Sequence, residues 1–213
     1  MALHEHFVCA RCQLDLPLES QRDWIYNRRK MLWDDHKQLV SIAALTRYDR
    51  GNIASEIVRS LKFRQQYKLG EWMGQMAVKM LRETALFEGV DCLIPIPLTD
   101  GRKHSRGFNQ AEYIARGMAT ELHIPVRCHV LRRLRERESQ THFNLVERIS
   151  NADHVFSLAD ASGLRGQHVM IVDDVMTTGT TMLGAIDCLE TVPDIRISTF
   201  TWAWAHLTAP AHT

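Results

Sequence analysis

The segment VMIVDDVMTTGTTM, residues 169–182, constrains this chain more than any other. Its first four residues are apolar, and such a short run reads as a buried strand. The run ends on two adjacent aspartates, Asp173 and Asp174. A turn rich in threonine and glycine then leads into a helical segment starting near Thr180. Strand, turn and helix in that order build an open α/β sheet, whose ligands sit beyond the carboxyl ends of the strands.

The turn chemistry says which ligand. Free backbone N–H groups at a helix start, together with the helix dipole, attract an anion. Threonine hydroxyls add donors, and Gly179 lets a phosphate approach the backbone. Carboxylates repel a phosphate, so Asp173 and Asp174 should face sugar hydroxyls or a divalent cation. The combination describes a pocket for a sugar 5-phosphate. An isolated acidic pair would be no more than a polar strand end before a capped helix, but that reading does not require the hydroxyl-rich turn.

The rest of the pattern agrees with an α/β protein. Apolar residues recur at helical spacing from Asn52 to Arg82 (Ile53, Ile57, Leu61, then Leu69, Met73, Met76, Met80), with a break at FRQQYKLG, which predicts two helices. CLIPIPL, IPVRCHVL, HVFSL, HVMIVDD and IRISTFTWAW read as strands, FNQAEYIARGMATEL and TTMLGAIDCLE as helices. Such alternation implies a mostly parallel sheet covered on both faces. Residues 1–50 read as a small N-terminal module and residues 51–213 as the main domain. The charged segment 132–151 fits a loop or a solvated helix and turn.

Bulk composition narrows the class. With 45% hydrophobic and 24% charged residues among 213, the chain is an ordinary globular protein. Its 26 basic and 25 acidic residues nearly cancel, which excludes a protein built wholly around nucleic-acid phosphates, though local patches can still matter. No apolar run is long enough to span a membrane. MALHEHFVCARCQ lacks the form of a signal peptide, so the five cysteines are expected as free thiols in a reducing cytoplasm. Cys92, Cys128 and Cys188 read as small core residues.

MIVDDVMTTGTTM resembles the phosphoribosyl-pyrophosphate (PRPP) loop of type I phosphoribosyltransferases. LIPIPLTDGRKHSRGFNQAEYIARGMA and RRLRERESQTHFNLVERISNADHVF are similar to stretches of the ComF/GntX group, competence-associated proteins of that fold. CARC and SLKF add weaker support. The resemblance implies a type I phosphoribosyltransferase fold with a small, degenerate zinc-ribbon-like N-terminal module. It places Asp173 and Asp174 on the ribose hydroxyls of PRPP and Thr177, Thr178, Gly179, Thr180 and Thr181 around the 5-phosphate. Lys103 and Arg106 are the nearest cations for the pyrophosphate, with Mg²⁺ carried mainly by the substrate's oxygens. Arg135, Arg137, Gln140 and Arg148 lie on a segment that is either a lid or a solvated charged helix; Arg137 stands where the family usually has threonine. Gly107, Phe108 and Asn109 either support the pyrophosphate loop or touch the ligand.

Relatives often hold zinc with two C-x-x-C pairs, whereas this chain has one, Cys9 and Cys12. His4, His6 and His36 are further candidate ligands, and a ribbon without metal is the alternative. Two functions stay open. One is Mg²⁺-dependent transfer of phosphoribosyl to a nitrogen acceptor. The other is a non-catalytic PRPP sensor that holds single-stranded DNA beside a helicase-like partner during DNA uptake. The second draws on a basic strip of Arg47, Arg50, Arg59, Lys62, Arg64, Lys68, Arg132, Arg133, Arg135 and Arg137, with Phe63, Tyr67 and Phe143 available for stacking.

Overall fold

The structure is a computed structural model that describes residues 7–19, 35–63, 66–99, 101, 107–134 and 155–205. After a short helix, α1 (Ala10–Leu14), come β1 (Leu39–Tyr48), α2 (Ile53–Phe63), α3 (Tyr67–Leu81), β2 (Cys92–Pro95) and α4 (Gln110–Leu122). They are followed by β3 (Leu131–Arg133), β4 (Phe156–Leu158), β5 (His168–Met176), α5 (Thr180–Leu189) and β6 (Arg196–Ala205).

Four strands form the main sheet in the order β1-β6-β5-β2, and every neighbouring pair is parallel. The centre of β6 and the first five residues of β5 are buried, as expected of strands covered on both faces. On one face α2, α3 and α4 bury Leu61, Met73, Ile114 and Met118 against Met170, Val172, Phe200 and Trp202. On the other, α5 and the antiparallel pair β3–β4 bury Ile186, Leu189 and Phe156 against Ile171 and Ile197. The parallel, doubly covered sheet expected from the alternation is therefore present, as are two helices with a break inside FRQQYKLG, α2 ending at Phe63 and α3 starting at Tyr67.

Two boundaries differ from expectation. The division after residue 50 cuts through the sheet, because β1 pairs with β6 from Leu39↔Ile197 to Tyr48↔Ala205. VSIAALTRY is apolar enough to be buried beside the central strands, and that burial draws it into the main domain. The described N-terminal residues are also packed on it. The Glu19 N–H donates to the Leu45 carbonyl, the Arg47 N–H donates to the Pro17 carbonyl, and Val8 and Leu16 are buried in the core of the helical face. No ribbon hairpin occurs among the described residues. The strand expected over IPVRCHVL shrinks to a single bridge, Leu93↔Val126, and the ladder forms later at 131–133. The Leu93 N–H donates to the Pro125 carbonyl and the Arg127 N–H to the Leu93 carbonyl. The next residue of β2 on that side, Pro95, has no N–H to continue the ladder.

Candidate functional site

β5 carries Asp173 and Asp174 toward its carboxyl end, and only three residues separate it from α5. Gly179 closes that turn with φ +82° and ψ −4°, a left-handed conformation that strains any other residue. The first N–H groups of α5 have no intrahelical acceptor. They meet the side chains of residues 177–182 in an open pocket of about 250 Å³, lined by Asp173 and by Val175 through Met182. The hydroxyls of Thr178 and Thr180 lie 2.8 Å apart across its rim. Thr177, Thr178, Gly179, Thr180 and Thr181 all line this one pocket.

The acidic pair sits beside the cradle in a low-dielectric setting. Burial, and next to it the neighbouring Asp174 carboxylate, push the Asp173 carboxyl up to about 8. Opposing these, the Asp174 N–H donates to Asp173 Oδ1 at 2.8 Å, and Lys62 and Arg133 supply positive charge. Asp174 accepts from the Val175 N–H at 2.7 Å and pairs with Lys62 Nζ at 3.2 Å. Lys62 comes from α2 and Arg133 from β3, where its guanidinium lies 5.4 Å from the Phe156 ring centroid. The pair faces one close cation, Lys62. The oxygens of the two aspartates can accept hydrogen bonds from a polyol.

Asn109 caps α4. Its side-chain oxygen accepts from the Ala111 N–H and its amide donates to the Ile96 carbonyl, which anchors the stretch after β2 to the helix start. Phe108 is buried edge-on to Tyr113, and Gly107 has φ +77°. These residues have the loop-supporting geometry. Lys103 and Arg106 lie outside the described residues, as do Arg135, Arg137, Gln140 and Arg148.

Among the described residues, the basic strip is largely engaged. Arg47 pairs with Asp49, Arg59 with Glu56, and Lys62 with Asp174, while Arg133 lies over Phe156. Tyr67 is half exposed, its ring 5.3 Å from that of Tyr113. Arg64 and Phe143 are outside the described residues, as is the side chain of Phe63.

At the N-terminus, the Cys12 backbone and thiol hold the Cys9 thiol below its ordinary value, and Cys12 is raised by its neighbour in return. His36 does not join them. It bonds Glu190, the residue that caps the end of α5, and, with Asp187, makes the one group of three potential metal ligands found among the described residues. His4 and His6 lie outside them.

A model of the phosphoribosyl transferase domain matches residues 108–201, which include both halves of the pocket. Competence protein F of Haemophilus influenzae is 28% identical over 132 residues, 60% of this chain and 58% of that protein. The DNA utilization protein YhgH of Escherichia coli is 26% identical over 184 residues, 85% of this chain and 70% of its own length. Competence protein ComFC of Bacillus subtilis is 34% identical over 110 residues, 51% of this chain and 42% of that one. The chain is similar to the competence proteins F and ComFC and to YhgH, and part of it matches the phosphoribosyl transferase domain. The alignment thus spans between about two fifths and seven tenths of these relatives.

Among solved structures, a purine phosphoribosyltransferase from Pyrococcus horikoshii gives a TM-score of 0.37 at 17% identity, over 65% of this chain and 90% of that one. Leishmania donovani UMP synthase gives 0.38 at 17% identity, over 68% and 24%.

Two features of this site are not legible in the sequence pattern. Lys62 reads as one of the basic strip but pairs with Asp174. Arg133 reads as part of the charged segment, yet β3 pairs with β4 and its charge acts on Asp173.

Proposed function

We propose that the pocket binds PRPP, with the 5-phosphate on residues 177–181 and the ribose hydroxyls on Asp173 and Asp174. The observation that carries this reading is the juxtaposition of the acidic pair with the left-handed Gly179 turn at the start of α5. The backbone and hydroxyl donors suit a dianionic phosphate. The carboxyl oxygens of the acidic pair offer acceptors to vicinal hydroxyls.

Mg²⁺ fits the donor set, since the carboxylate oxygens of Asp173 and Asp174 are hard ligands and a pyrophosphate supplies more. When bound, the ion would neutralise charge on the leaving pyrophosphate. The chain's own contribution is to orient the ribose, exclude water and place Lys62 and Arg133 beside the sugar. Cleavage at the anomeric carbon passes through an oxocarbenium-like state and needs no protein nucleophile. Catalysis then rests on positioning and electrostatics. Lys103 and Arg106 are assigned to the pyrophosphate, and Arg135, Arg137, Gln140 and Arg148 to a segment that closes over it. The acceptor is proposed as a nitrogen nucleophile.

The names of the relatives favour a second reading, in which the pocket senses PRPP and the chain handles single-stranded DNA with a helicase-like partner in the cytoplasm. Among the described residues, no helix is long and apolar enough to cross a membrane.

Calorimetric titration of PRPP with Mg²⁺ into the protein and into Asp173→Asn/Asp174→Asn tests the shared core of both readings. Binding by the first and a loss of at least about tenfold in the second is expected. Equal binding, or none by either, removes the PRPP pocket. Pyrophosphate release with a panel of amines and nucleobases then separates transfer from sensing. Single-stranded DNA binding that weakens steeply with salt is the mark of the second reading.

A further inference from the structure

The far end of α5 carries a second constellation. Asp187 and Glu190 are one helical turn apart and share a face of the helix. His36, from the segment that enters β1, reaches across to them. Its Nδ1 lies 2.9 Å from Glu190 Oε2 and its Nε2 3.8 Å from Asp187 Oδ1. One ligand atom from each of the three residues falls within 4.8 Å of the others. The His36 and Glu190 side chains are only 15% and 20% exposed, whereas Asp187 is 60% exposed and free to swing inward.

A histidine–glutamate hydrogen bond explains only part of this. Glu190 Oε1 is shut off from solvent and has no hydrogen-bond partner among the described residues. A buried carboxylate oxygen left in that state is costly, and a cation would satisfy it. Two adjacent ligands at about 2.1 Å from an octahedral ion stand about 3 Å apart, close to the Nδ1–Oε2 separation. Asp187 stands nearer Nε2 and completes the set only by rotating toward the Nδ1 side. The helix C-terminus adds its negative dipole end.

We propose that His36, Asp187 and Glu190 bind a divalent transition-metal ion, of the Zn²⁺, Mn²⁺ or Co²⁺ type. One imidazole with two carboxylates suits these borderline ions better than Mg²⁺, which takes oxygen ligands. Water completes the coordination. The ion is separate from any Mg²⁺ that accompanies PRPP, because the cradle lies at the opposite end of α5. Its structural effect is a clamp. The His36 carbonyl accepts from Leu39 N–H and the Gln38 carbonyl from Ile197 N–H, so fixing this segment ties β1 and β6 to the helix that presents the phosphate site.

The test uses the full-length chain carrying Cys9→Ser/Cys12→Ser and Asp173→Asn/Asp174→Asn, which removes the thiolates and the acidic pocket. Co²⁺ is titrated while its visible d–d absorption is followed, and Zn²⁺ is titrated while Tm is followed. One Co²⁺ per chain and a rise in Tm with Zn²⁺ are expected. In the same background, Asp187→Asn is expected to weaken Co²⁺ at least tenfold while leaving the metal-free Tm unchanged. His36→Gln is expected to abolish both responses. Should His36→Gln fail to fold, Asp187→Asn decides alone, since its side chain is exposed. Binding or a Tm rise unaltered by Asp187→Asn, or no Co²⁺ binding in the parent background, overturns the proposal.

Discussion

Lys62 Nζ lies 3.2 Å from Asp174 Oδ2, and the pair links α2 to the carboxyl end of β5 across the mouth of the site. The carboxylate is 13% exposed and the ammonium 28%, so neither charge is well hydrated. Lys62→Met leaves Asp174 uncompensated beside Asp173. The expected loss is about 1–2 kcal/mol, less than for a fully buried pair because the lysine still meets water. Urea denaturation of the two single variants and the double variant Lys62→Met/Asp174→Asn should show a coupling of at least about 0.5 kcal/mol. Additive effects would mean that the contact does no more than a surface ion pair.

The Asp173 carboxyl gives stability a pH dependence of definite sign. Its folded value, about 8, is above the ordinary 3.8. Between those values the folded state holds a proton that the unfolded chain releases. This group's contribution therefore falls as pH rises from about 4 to about 8 and is level beyond. Asp173→Asn keeps the acceptor for the Asp174 N–H and removes the penalty. It should raise the urea midpoint at pH 8 and change it least at pH 4, each pKa unit being worth about 1.4 kcal/mol. An equal effect at both pH values would show that the carboxyl is ionised as usual.

His168 acts in the opposite direction. Burial, and next the Arg196 charge, hold its imidazole below the ordinary 6.5. Its Nε2 shares a hydrogen bond with Ser198 Oγ at 2.7 Å, and Ser41 donates to the same serine. The unfolded chain takes up a proton below about 6.5 that the folded chain refuses, so stability is lost as pH falls from there toward the lower folded value. His168→Gln should flatten the stability profile between pH 7 and pH 5, at the cost of a lower plateau. An unchanged slope would remove His168 as its source.

The crossing of α3 and α4 depends on glycine. A Cβ on Gly117 would run into the Glu71 backbone carbonyl, and one on Gly74 into that of Ile114. Backbone cannot yield as a side chain does, so Gly117→Ala should cost about 2–3 kcal/mol. Gly184 on α5 is the control. There a Cβ meets only Phe156 and Val155 side-chain atoms, at 3.6 Å and 3.7 Å, which is ordinary contact. Gly184→Ala should leave stability unchanged or raise it by up to about 1 kcal/mol through helix propensity. Similar losses in both variants would contradict the close packing of the two helices.

Legibility in the sequence followed the range of the interactions. The strand–turn–helix unit at 169–182 was readable because its apolar run, acidic pair and Gly179 turn are contiguous, and one local backbone geometry satisfies all of them. The place of β1 was not, since VSIAALTRY says that a strand is buried without saying which strand it adjoins. Its partner, β6, lies far along the chain, with Leu39 opposite Ile197 and Tyr48 opposite Ala205. Lys62, Arg133 and the His36–Glu190 pair were missed for the same reason. Each is a polar residue whose meaning comes from a carboxylate supplied by a remote element. The bridge at Val126 shows the converse, a strand-like pattern that finds no further donor on its neighbour, because β2 ends at Pro95.

Gly179 offers the sharpest separation of fold from site. Its φ of +82° costs an alanine about 1–2 kcal/mol, and in the pocket the added methyl also stands where a phosphate must approach the backbone. Gly166 provides the same strain without the site, with φ +72° and open space around a Cβ. Both Gly179→Ala and Gly166→Ala should therefore lower Tm by a few degrees, about 2–4 °C per kcal/mol for a chain of this size. Only Gly179→Ala should also weaken ribose 5-phosphate, by at least about tenfold in calorimetry. Equal affinities in the two variants would mean that the turn at 177–181 is helix-start architecture and that the sugar phosphate binds elsewhere.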